Sequence, residues 1–131
     1  IPGYLPLTQD RRMAEIFEPN AAALVGADNV GRVAHRTGST DMGDISQLMP
    51  AIHPYVGGAV GLGHGANYVI EDYQLAVITA AKSMAGTVVD LLADGAEQAN
   101  KVIAGHRPEM TRQEYLQFMR DLAREETFEA E

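Results

Sequence analysis

The 131-residue chain carries a formal charge of −8 and a pI near 4.9, which works against nucleic acid or an anionic membrane as partner, because phosphate binding needs clustered Lys and Arg. Its hydrophobic fraction of 46% with 21% charged residues belongs to a chain that folds rather than one that stays disordered. Cysteine is absent, which removes any disulfide framework or thiolate metal site and leaves His and carboxylate as the available metal ligands.

No run approaches the roughly 20 apolar residues of a membrane span. The longest covers residues 75–81, and the start, Ile1-Pro2-Gly3-Tyr4-Leu5-Pro6-Leu7, lacks the basic region of a signal peptide. These features fit a cytoplasmic location. The start reads as the edge of a longer protein. Thr8 is placed to cap a helix in which Met13, Ile16, Phe17 and Leu24 recur at helical spacing up to Gly26, with Pro19 expected to kink or split it. Residues 30–35 read as a short strand between turn-formers.

Residues 38–65 hold seven of the thirteen glycines with Pro50 and Pro54, the composition of a loop-dominated region with at most short strands. Residues 72–93 read as a long helix whose apolar set, Val77, Ala81, Met84, Val88 and Leu92, lies opposite Lys82, Gly86 and Asp90. So wide an apolar face predicts a mostly buried helix. Gly95 is expected to close it, with a short helix over residues 96–104 to follow. Thr111 and Glu114 then form a capping box ahead of Tyr115, Leu116, Met119 and Leu122, and residues 125–131 form an acidic tail.

The residues able to carry chemistry concentrate in Ser39-Thr40-Asp41-Met42-Gly43-Asp44-Ile45-Ser46, Pro50-Ala51-Ile52-His53-Pro54 and Gly61-Leu62-Gly63-His64-Gly65. Imidazole and carboxylate are the usual ligands of a catalytic zinc without cysteine, and glycines let backbone approach a substrate closely. Spacing alone gives no complete metal site, since the chain has no His-Glu-x-x-His and no His-x-Asp, and the Gly-rich run lacks the ending of a phosphate loop. From the residues alone, Asp41 and Asp44 serve equally well as site-lining or turn-capping groups, and His53 fits a satisfied loop histidine.

These three motifs, ahead of a long helix, resemble the closing segment of the aminoacylase-type zinc metallopeptidases and amidohydrolases, family twenty, in the branch of aminobenzoyl-glutamate utilisation proteins. The resemblance implies an α/β fold, the C-terminal part of a mixed-sheet, helix-flanked catalytic domain, with residues 1–7 the junction from a lid domain and 8–131 the catalytic segment. It implies His64 as a metal ligand, and a substrate pocket lined by Ser39, Thr40, Asp41, Gly43, Asp44, His53, Gly61 and Gly63.

The implied cofactor is zinc or another divalent metal, one or two ions in the intact enzyme, activating water for hydrolysis of an N-acyl amino acid or small peptide. The family's His-x-Asp and Glu-Glu pairs, the second supplying the general base, are expected in a missing N-terminal half, so the chain alone is expected to be inactive. The expected partners are a small amide or peptide substrate, that N-terminal half and a further copy in a homo-oligomer. A non-catalytic scaffold or ligand-binding domain on the same fold is the alternative, and a self-sufficient small domain a third.

Overall fold

A computed structural model describes residues 3–33, 38 and 40–127. Asp10, not Thr8, opens the first helix, α1 (Arg11–Val25): its backbone is extended and its Oδ1 accepts the Met13 amide at 2.9 Å, satisfying one of the donors that a helix start leaves free. Thr8 is engaged elsewhere, its amide donating to Ser46 Oγ at 3.0 Å. Gly26 ends α1 as expected, at φ 86°. Pro19 does not split α1; it is exposed, as is Glu15, whose carbonyl loses its helical donor there, so water can replace it. A 3-10 turn (Ala27–Asn29) follows, residues 30–33 join no strand, and residues 34 and 35 of the expected strand lie outside the described residues.

The expected loop over residues 38–65 contains a helix, α2 (Met42–Leu48). Seven residues rich in Gly, Asp and Ser carry little helical propensity, and α2 is held from outside by an extended strap, residues 5–10. The Leu5 amide donates to Asp44 Oδ1 (3.1 Å), Gln47 Nε2 donates to the Pro6 carbonyl (2.6 Å), and the Asp10 amide donates to the Ala51 carbonyl (2.8 Å). Gly43 makes the approach possible, since a Cβ there would lie 1.8 Å from the Leu5 oxygen. Two strands follow, β1 (Ala59–Val60) and β2 (Val69–Ile70), paired antiparallel with Ala59 opposite Ile70.

The chain then winds through a π-helical stretch (Gln74–Thr79) into α3 (Ala80–Gly105). Ala93, Asp94, Gly95 and Ala96 leave helical geometry, so the expected close at Gly95 and the short helix after it both stand as a break within α3. The last helix, α4 (Arg112–Leu122), opens on the expected capping box: the Thr111 amide donates to Glu114 Oε2 at 2.7 Å and the Glu114 amide to Thr111 Oγ1 at 3.2 Å.

The described residues are thus mostly helical with one two-stranded antiparallel ribbon. The α1–α3 pair forms the main packing, and it does so through the face of α3 opposite to the one expected. Ser83 and Thr87 are buried, their hydroxyls returned to the Thr79 and Ser83 carbonyls. Asn20 of α1 donates to Asp90 at 2.6 Å, and a Cβ on Gly86 would lie 2.2 Å from Asn20 Oδ1.

Small polar residues therefore let α1 approach, and the apolar stripe faces outward, with Val77, Met84, Val88 and Leu92 between 47% and 63% exposed. The expectation of a buried stripe fails because no described residue covers it. Among the described residues the buried apolar ones are Ala21, Ala51 and Val102. The chain exposes 10,113 Å², where a folded monomer of its mass exposes about 6,700 Å². An 18-residue stretch within Gln74–Gly105, a segment that includes the break at residues 93–96, is long and apolar enough to cross a membrane by length and composition alone, which the count of uninterrupted apolar residues did not register.

Candidate metal and substrate site

The motif residues separate into two places. On α2, Asp44 is buried and its Oδ1 holds the strap, while Ser46 donates to the Gly43 carbonyl at 2.7 Å and accepts from Thr8. Asp41 precedes α2 with its side chain exposed and bonded by the Thr40 hydroxyl at 3.2 Å rather than capping the helix. Ser39 lies outside the described residues. Gly43 supports the strap, which gives it a packing role next to its expected place in the pocket.

Tyr115 of α4 faces the same corner. Burial first, and the Asp44 carboxylate second, push its phenol above the usual 10.0. Sequence spacing gave Tyr115 only as part of an apolar helix face, and nothing in the local pattern signals its proximity to Asp44. Gln47 has no role in the motifs and Ser46 only membership of one, although both lie one turn after Gly43, on the face the strap uses.

His53 follows α2 in a half-buried position, its ring centroid 5.1 Å from that of Tyr55 and its amide donating to Gln9 Oε1 at 2.9 Å. Its Nδ1 is buried with no hydrogen-bond partner among the described residues, and so is Nε2 of His106, whose Nδ1 lies 3.8 Å from Asp10 Oδ2.

His64 stands at the tip of the β1–β2 hairpin. The Gly65 amide donates to the Leu62 carbonyl at 2.7 Å, closing a turn around Gly63 and His64, and His64 adopts φ 64°. Gly or Asn is the usual occupant where a turn demands positive φ, and another L-residue there carries strain of about 1–3 kcal/mol. Gly61 has a structural reason: at φ 91°, a Cβ there would lie 2.2 Å from the Asn67 carbonyl oxygen. Gly63 meets nothing within 4 Å. The imidazole of His64 is therefore carried on a tight, glycine-built hairpin and presented outward.

Among the described residues no substantial packing joins the strands of the hairpin to α2, and no three His, Asp or Glu side chains converge as a metal site. His64 supplies one donor, and these residues alone do not fit a resident metal. A groove between α1 and the end of α3, past Arg12, Ile16 and Val102, contains none of the motif residues. No protein-family model, no curated protein and no solved structure matches the chain.

Proposed function

We propose that the chain is one wall of a metal-dependent amidohydrolase, contributing His64 as a metal ligand to a site whose other ligands and general base come from elements that cover the outward face of α3. The observation that carries this reading is the left-handed, outward-presented His64 at a position where glycine would be free of strain. Strained residues cluster where function over-determines them, and the motif resemblance names the same residue. A bound divalent ion would polarise the scissile amide and activate water. The roles open to this chain's own residues are to hold one ligand on a stiff hairpin and to frame the pocket with Thr40 and Asp41.

The surface supports an incomplete body. The excess of about 3,400 Å² over a monomer of this mass is surface that a further layer of structure would cover. The stripe on α3 is uncharged and broad, which suits packing on a sheet and so the mixed-sheet catalytic domain that the motifs imply. A cytoplasmic location belongs to the same proposal.

A second reading rests on the strap. Because Asp44, Ser46 and Gln47 bind residues 5–8, the motif can serve to build a scaffold, and a non-catalytic ligand-binding protein would keep it for that reason. Metal content and amidase activity of the intact protein, with and without His64→Ala, separate the two.

A further inference from the structure

The break in α3 is strained. Ala93 is extended (ψ 160°), and Asp94, Gly95 and Ala96 follow with φ of 49°, 70° and 64°. Three successive left-handed residues are unusual, and Ala96 carries a Cβ that this region disfavours. What the bend gains is the docking of the following turns onto α1: Val102 is 4% exposed, and Arg12 Nη1 caps the helix end by donating to the Lys101 carbonyl at 2.8 Å.

The sequence across this break is written for a straight helix. The stripe of Val77, Ala81, Met84, Val88 and Leu92 continues in phase through Ala96, Ala99, Val102 and Ile103, while Lys82, Asp90, Asp94, Glu97 and Lys101 stay off it. A chain that merely turned at residue 95 has no need to keep helical phase through the turn. Straightened, Gln74–Gly105 is about 48 Å long, and the docking of Val102 onto α1 must then be made elsewhere.

We propose that residues 93–96 are a hinge through which two copies of this chain exchange their C-terminal parts. In the exchanged form α3 is continuous, the strain at Ala96 is released, and residues 97–105 of one copy lie on α1 of the other, with Arg12 capping the α3 of its neighbour. The same Val102 and Lys101 contacts are kept. Strained, short connections are the setting in which such exchange is favoured.

The experiment is light scattering after size separation of the 131-residue chain across a concentration series, as wild type, Gly95→Ala and Ala96→Gly. Gly95 is exposed with nothing within 4 Å of its built Cβ, so alanine there is unopposed by packing yet strained when bent and favourable when helical. The dissociation constant of the dimer should fall by about tenfold or more per hinge. Ala96→Gly relieves the bent form and weakens the helix, and should raise it by a similar factor. Opposite responses from adjacent residues are what exchange predicts, whereas association through the apolar face alone is indifferent to both. Equal or absent shifts, or a monomer throughout the series, overturn the proposal.

Discussion

Replacing Gly43 with Ala tests whether the motif around α2 builds the strap. The new methyl would stand 1.8 Å from the Leu5 oxygen and 2.9 Å from its carbonyl carbon, both backbone atoms that no side-chain rotation can move. The strap must lift, and with it go the bonds from Leu5 to Asp44, Gln47 to Pro6 and Thr8 to Ser46. At about 1 kcal/mol net for each bond, with an added penalty where the buried Asp44 and Ser46 lose partners, the loss is about 3–5 kcal/mol. Urea unfolding gives the total, and hydrogen exchange at the Leu5 and Thr8 amides reads the strap itself. If both amides keep their wild-type protection in Gly43→Ala, the strap is not held as described.

Three other outcomes follow from the geometry. His64→Gly relieves a left-handed residue and should stabilise the chain by up to about 1 kcal/mol after the entropy of glycine in the unfolded state is counted; destabilisation in thermal unfolding would mean that His64 is held by contacts rather than by its chemistry. Gly86→Ala puts a methyl 2.2 Å from Asn20 Oδ1, so Asn20 must turn away from Asp90, and amide shifts along α1 and α3 should move together. Glu114 is held below its ordinary 4.5 by the Thr111 amide first and the Thr111 hydroxyl second. Its contribution to α4 is therefore present above that value and lost as pH falls through the lower folded one; an acid titration of α4 amide shifts should show this fraying, and Glu114→Gln should remove its pH dependence.

The parts of the fold written locally were legible. Gly26 after an amphipathic run, Thr111 with Glu114, and Gly95 between two helical stretches each declare a helix end by backbone chemistry. The parts settled by distant contacts were not. α2 has a loop's composition and becomes helical under a strap some forty residues away in sequence. Asp10, directly ahead of Arg11, takes the cap through its Oδ1, while Thr8 lies in the strap with its amide on Ser46.

Helical periodicity identified both faces of α3 but not which of them this chain covers. Ser83, Gly86 and Thr87 allow the closer approach, so α1 takes that side and the larger apolar residues are left outward. For the site, the motifs fall on two elements, the hairpin that carries His64 and the helix α2, and that partition belongs to tertiary structure.

The measurement that bears most directly on the proposed role of His64 is metal content together with amidase activity of the intact protein, wild type and His64→Ala, against N-acyl amino acids and aminobenzoyl-glutamate. The account predicts stoichiometric divalent metal and hydrolysis in the wild type, both lost in a variant that remains folded. A His64→Ala protein that keeps its metal and its activity, or a wild type that binds no metal and hydrolyses nothing, would contradict it.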